Sequence, residues 1–296
     1  MVDFKDLPTE KINASSKRLD KLTAGEIVGL MNSENEILPK ALWREIKNIT
    51  KAVQVIINSL RSGGRIFFAG AGTSGRLGVL ESAELPPTFN SDPALAQAIM
   101  AGGRSAVFRS KEGAEDNASE ARRIIKKCVK KGDVVIGIAA SGVTPFTQGA
   151  LSQGKIQKAR TILVTCNPQK TIRGKAEIVI APSVGPEIIS GSTRLKSGTA
   201  TKMILNMLTT ASMVGLGKVY GNLMVDLQPK SRKLRERGIR LVRQIAGVPR
   251  ARAVKLLNDS RWSVKTAALM AKKNVSRREA LKILKQHDGF LGRCVI

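Results

Sequence analysis

Apolar positions along this chain follow two rhythms that alternate. Residues 66–69, 133–139 and 161–166 are apolar nearly throughout, and residues 95–100 and 178–181 are shorter runs of the same kind. Such runs, closed by turn residues, predict strands, and their lack of polar alternation predicts a sheet covered on both faces. Between them, apolar residues recur at helical spacing over residues 23–32, 42–60, 114–131, 146–158 and 200–215, with Thr23 placed to start the first helix. Strands and helices in turn, joined by short connections, predict an α/β fold: an open, mostly parallel, doubly wound sheet that binds ligands at the C-terminal ends of its strands. After Pro229 the apolar groups shorten to residues 241–245, 251–257, 264–270 and 278–284. They predict a small C-terminal helical domain of three short helices entered through a basic connecting helix, with Ser260, Ser263 and Ser276 as caps. The expected organisation is an N-terminal arm and helices over residues 1–64, a sheet core over 65–228, and the linker helix and helical domain over 229–296.

The turns after the strands carry the candidate chemistry. The run ending at Ala69 leads into Gly70, Gly72 and Gly75, with Thr73 and Ser74 where a helix would begin. Glycines let the backbone turn sharply and approach a ligand, and a helix start offers unpaired N–H groups to an anion. The same glycines spell a dinucleotide fingerprint, but that unit requires an acidic residue at the end of the second strand. Here the second strand runs into Ala101, Gly102, Gly103 and Arg104. A small phosphorylated ligand is the favoured reading, with a dinucleotide as the alternative. The third strand repeats the grammar with Ser141, Gly142, Val143 and Thr144, and a further polar turn spans residues 187–199.

Composition narrows the class. A chain of 296 residues with 42% hydrophobic residues can bury one large α/β core and a small appended domain. No long apolar run or leader pattern stands out, so a cytoplasmic location is expected. Cys128, Cys166 and Cys294 are too scattered for a disulfide framework, and with His287 as the single histidine any metal site needing two is excluded. The net charge is +27, and residues 228–296 contribute +15 of it, from 19 Lys and Arg against 4 Asp and Glu. A basic surface draws in anionic substrates and is compatible with nucleic acid, but the tail lacks aromatic interleaving or zinc spacing.

The stretch GAGTSGRLGVLESAELPPTF from Gly70, EGAEDN from Glu112, AASGVTP from Ala139 and GSTRLKSGTATKMILNML from Gly191 together resemble the N-acetylmuramic acid 6-phosphate etherase family. WSVKTAALM and HDGFL in the tail are also similar to that family's small helical domain. The resemblance implies a sugar isomerase (SIS) fold, a homodimer, and cofactor-free cleavage of the D-lactyl ether of a cell-wall sugar phosphate during murein recycling. It implies Glu84 as the acid that protonates the leaving ether oxygen and Glu115 as the base at C2. Glu84 sits among Ala83, Leu85, Pro86 and Pro87, an apolar setting that suits an acid. Gly72, Thr73, Ser74, Gly75, Ser141, Gly142 and Thr144 are expected to hold the phosphate, with Glu187 and Lys196 contacting phosphate or sugar hydroxyls. Val143, Phe146 and Arg104 depart from the family's usual residues. A non-catalytic sugar-phosphate regulator of the same fold, touching nucleic acid through the basic tail, is the rival class; the joint presence of Glu84 and Glu115 favours the enzyme.

Overall fold

The computed structural model describes residues 7–167, 176–229 and 231–295. Residues 1–6 of the expected arm and residues 230 and 296 of the expected C-terminal region lie outside it. The chain groups into two compact units, Met1–Ser82 with Ala94–Thr209, and Ala83–Pro93 with Thr210–Ile296.

Three helices, α1 Ala24–Asn35, α2 Ile37–Arg44 and α3 Ile46–Arg61, precede the sheet. Thr23 starts α1 through a reciprocal capping box with Glu26. The single helix expected over residues 42–60 is two, because the backbone leaves helical geometry at Glu45. The sheet is built from β1 Ile66–Gly70, β2 Ala96–Met100, β3 Val134–Ile138, β4 Arg160–Val164 and β5 Ile178–Ile180, all parallel, in the order β2-β1-β3-β4-β5. β1 and β3 are buried at every position, which is why their sequences do not alternate.

Its helices are α4 Gly72–Phe89, α5 Ser105–Phe108, α6 Ala118–Cys128, α7 Pro145–Ile156 and α8 Lys196–Gly215. Phe67, Ala69, Val135 and Leu163 share one apolar cluster with Ile125 of α6 and Phe146 and Leu151 of α7. The next residue, Phe68, faces the other way, against Gly78 of α4, where an added Cβ would stand 2.8 Å from the Phe68 Cβ. Successive strand residues therefore serve opposite helical layers, the doubly wound arrangement expected. Asp133, just before β3 and 3% exposed, accepts bonds from the backbone N–H groups of Arg65 and Lys130 and pairs with the Arg65 guanidinium at 2.8 Å. That carboxylate ties the starts of two neighbouring strands together.

Residues 114–131 are not one helix. Gly113, at φ +71°, leads into a 3-10 turn over Ala114–Asp116, and α6 begins afresh with Asn117 accepting from the Glu120 N–H at 2.9 Å. The helix expected from residue 200 likewise begins earlier, at Lys196.

The second unit holds α9 Arg232–Ala246, α10 Arg250–Asp259, α11 Val264–Lys273, α12 Arg277–Gln286 and α13 Leu291–Cys294. α9 is more than a connector, since Ile239, Leu241, Val242 and Ile245 enter the same core as Leu257, Ala267, Leu269 and Leu291. Ser263 and Ser276 cap α11 and α12. Ser260 instead ends α10, donating its hydroxyl to the carbonyls of Leu257 and Ser263. Among the described residues no helix is long and apolar enough to cross a membrane.

Candidate active site

β1 and β3 pair in register, Gly70 beside Ile138. The chain leaves β1 toward β2 on one side and leaves β3 toward β4 on the other, so their loops part at the point where the winding reverses, where open α/β sheets leave a crevice. The two loops line a cavity of about 330 Å³. Gly72, Thr73 and Ser74 come from the start of α4, Ser141, Val143, Thr144 and Pro145 from the start of α7, and Glu115 with Asp116 from the 3-10 turn; Glu10, Gly191 and Thr193 also line it. Two helix starts thus face one space, each offering unbonded N–H groups and a positive dipole end.

Two glycines of the first loop have different jobs. Gly72 adopts φ +53° with nothing within 4 Å of where a Cβ would stand, so it serves the turn and leaves the cavity open. At Gly75 a Cβ would lie 2.3 Å from Met100 Sδ and 2.6 Å from the Gly70 carbonyl oxygen, so this glycine lets α4 pack against the strand it has just left. In the second loop Gly142, at φ +74°, makes the bend. Ser141 Oγ accepts from the Val143 N–H and lies 3.3 Å from Thr144 Oγ1. Thr144 precedes α7 without capping it through its side chain, which leaves the hydroxyl pair at the cavity wall. The lining carries three carboxylates, Glu10, Glu115 and Asp116, and no lysine or arginine among the described residues. An anion here would be held by N–H and hydroxyl donors rather than by ion pairs.

The structure therefore brings together Gly72, Thr73, Ser74, Glu115, Ser141 and Thr144 in one cavity, with Gly75 and Gly142 shaping the loops behind it. Glu187 and Lys196 stand elsewhere, on a cavity of about 230 Å³ lined also by Glu34 and Arg194. Their polar ends are engaged. The Glu187 carboxylate, 1% exposed, accepts the backbone N–H groups of Lys196 at 3.0 Å and Ser197 at 2.8 Å, so it caps α8, while the Lys196 ammonium pairs with Glu34. Burial thus gives both groups protein partners in place of the sugar or phosphate contacts expected of them. Glu84 lies on α4, twelve residues beyond Gly72, and is exposed rather than in an apolar setting. Adjacent helical residues point about 100° apart, so Leu85 is buried while Glu84 is not. Glu84 does not line the cavity that holds Glu115.

Of the departing residues, Val143 lines the cavity, Phe146 is fully buried in the core, and Arg104 precedes the short α5. Cys166 is fully buried and its thiol is pushed up to about 12, chiefly by burial, which suits a packing residue and not a nucleophile.

Several polar residues escaped the sequence reading. Glu10 and Thr193 enter the cavity from segments without periodicity. Asn167 follows β4 and donates its amide to the carbonyls of Ala140 and Ser141 and to Thr9 Oγ1; an amide at the C-terminal end of a parallel strand was the available signal. Glu81, 5% exposed, accepts from Asn206 Nδ2 at 2.8 Å and from the Thr209 hydroxyl, locking α4 to α8.

Residues 48–155 match the family model of the glucokinase regulatory protein N-terminal SIS domain, and residues 115–211 match the SIS domain. An N-acetylmuramic acid 6-phosphate etherase of Salinibacter ruber is 46% identical over 291 residues, covering 98% of this chain and 94% of the relative. A Clostridium acetobutylicum protein of the same name is 42% identical over 293 residues, covering 99% and 97%. Among solved structures, a phosphoheptose isomerase from Neisseria gonorrhoeae superposes with a TM-score of 0.49 at 15% identity, over 64% of this chain and 98% of that one. Identity held at this level along nearly the whole of both chains means that this protein belongs to the N-acetylmuramic acid 6-phosphate etherase family.

Proposed function

We propose that the chain cleaves the D-lactyl ether of N-acetylmuramic acid 6-phosphate, giving N-acetylglucosamine 6-phosphate and D-lactate, as a cytoplasmic step of murein recycling. The observation that carries the site reading is Glu115, whose 3-10 turn lines the same cavity as the two helix starts. In the ring-opened sugar the C2 proton is acidified by the neighbouring aldehyde. Glu115 takes that proton, the electron pair forms the C2–C3 double bond, and the C3–O bond breaks as the lactate oxygen accepts a proton from an acid. Water then adds at C3 and C2 regains a proton. The phosphate is held by the backbone and hydroxyls of Gly72, Thr73, Ser74, Ser141 and Thr144, and neither half of the reaction calls for a metal or redox group.

Glu84 is the proposed acid. It is exposed on α4 and is not among the residues that line the Glu115 cavity, which fits a homodimer in which each site takes Glu115 from one copy and Glu84 from the other. The test is D-lactate release from N-acetylmuramic acid 6-phosphate. Glu84→Gln and Glu115→Gln are each expected to lower kcat by about 10² to 10⁴-fold. If both variants keep full release, the assignments are wrong. Mixing the two inactive variants should restore about a quarter of wild-type activity, because half the dimers then carry one intact shared site. No recovery on mixing would place both acids in one chain.

A further inference from the structure

We infer that Glu10, carried into the cavity by the N-terminal arm, is a substrate-binding residue that accepts a hydrogen bond from a hydroxyl or amide N–H of the sugar. The inference rests on the sugar-phosphate reading of the same site and adds a residue from a part of the chain outside the sheet.

The arm is held in place. Leu7 and Thr9 are fully buried, and the Glu10 carbonyl accepts from the Ser190 hydroxyl at 3.1 Å. Asn13 donates its amide to Glu34 at 2.8 Å and to the Pro186 carbonyl at 3.3 Å. The decisive anchor is Asn167, whose side-chain amide lies 3.2 Å from Thr9 Oγ1 and 3.0 Å from the Ser141 carbonyl. One buried group thus fixes the residue before Glu10 to the loop that carries the second set of anion donors. Glu10 is positioned relative to Ser141 and Thr144 by the same bonds that shape that loop.

The carboxylate itself is left available. Its Oε2 stands 3.2 Å from where a Cβ would project at Gly191, so the missing side chain there clears its path. Among the described residues no donor pairs with it, in a chain that has 50 Lys and Arg against 23 Asp and Glu. The cavity therefore combines N–H and hydroxyl donors at the two helix starts with bare acceptors at Glu10, Glu115 and Asp116. A ligand that complements both kinds of group carries an anionic group and hydrogen-bond donors, as an amino-sugar phosphate does. A hydroxyl or amide donor bound to a carboxylate is a charge-assisted bond and strengthens binding accordingly.

Glu10→Ala in the full chain should raise KM for N-acetylmuramic acid 6-phosphate by about 10- to 100-fold with kcat nearly kept, and Glu10→Gln should fall between, because its amide oxygen still accepts. Competition by inorganic phosphate and the melting temperature should not move, which separates sugar recognition from damage to the arm. An unchanged KM, or a rise accompanied by equal loss of phosphate affinity or of thermal stability, would overturn the inference. If the wild-type chain releases no lactate, the etherase reading fails alone, and calorimetry with N-acetylglucosamine 6-phosphate decides about Glu10. Tenfold or weaker binding by Glu10→Ala with phosphate binding intact supports it; equal binding, or a wild type that binds neither compound, rejects it.

Discussion

Glu187→Ala tests whether a residue expected to contact the substrate instead caps a helix, as its observed partners suggest. The side chain is buried and each carboxylate oxygen receives one backbone N–H, from Lys196 and from Ser197. Those are among the N–H groups at the start of α8 that have no partner within the helix. Removing the carboxylate leaves both without an acceptor where water is excluded, since Lys196 is 6% and Ser197 0% exposed. An unsatisfied buried group costs about 1 to 3 kcal/mol, and the lost charge at the helix start adds up to about 2. With partial water entry, a loss near 3 kcal/mol is expected, a large part of the ~5 to 15 kcal/mol that holds a typical domain folded. For a unit of this size that lowers Tm by about 6 to 12 °C, and Glu187→Gln should lie between. Hydrogen exchange supplies a local readout, because the Lys196 and Ser197 amides should exchange about a hundredfold faster if the opening of that turn alone becomes easier. If melting and exchange stay as in the wild type while KM for the sugar phosphate rises, Glu187 serves the substrate and the capping argument is refuted.

Gly75→Ala puts a methyl 2.6 Å from the Gly70 carbonyl oxygen, which is backbone and cannot turn aside as the Met100 thioether can. A loss of about 1 to 3 kcal/mol in denaturant titration is expected, and a neutral result would mean that α4 does not sit tightly on β1. Cys166 has a thiol raised from 9.0 to about 12 by burial. Its stabilising contribution is complete below the unfolded value near 9 and is lost as pH rises from there toward 12. At pH 8 in the native state an aromatic disulfide reagent should modify the half-buried Cys128 well before Cys166; prompt labelling of Cys166 would show that the core at the end of β4 opens freely.

Much of the scaffold was legible along the chain. Residues 66–69, 133–139 and 161–166 announced central strands because burial on both faces removes polar alternation. Thr23, Ser263 and Ser276 marked helix starts because a cap acts on N–H groups two or three residues away. Six of the cavity's residues, Gly72, Thr73, Ser74, Glu115, Ser141 and Thr144, stand out in the sequence, the turn residues among them following short local rules about glycine and hydroxyls.

The acidic and basic side chains were a different matter. Nothing in the local sequence shows that burial bonds Glu187 to the start of α8 and Lys196 to Glu34, or that Asn167 holds the neighbour of Glu10 against the Ser141 loop. By itself, then, the order of residues determined where the strands and most of the turns and caps fall, since those depend on steric and hydrogen-bonding rules that act over a few positions. Only the tertiary structure decided which carboxylates stay bare in the cavity and which are consumed, because a charged group's partner is set by whatever distant segment packing brings within about 3 Å of it.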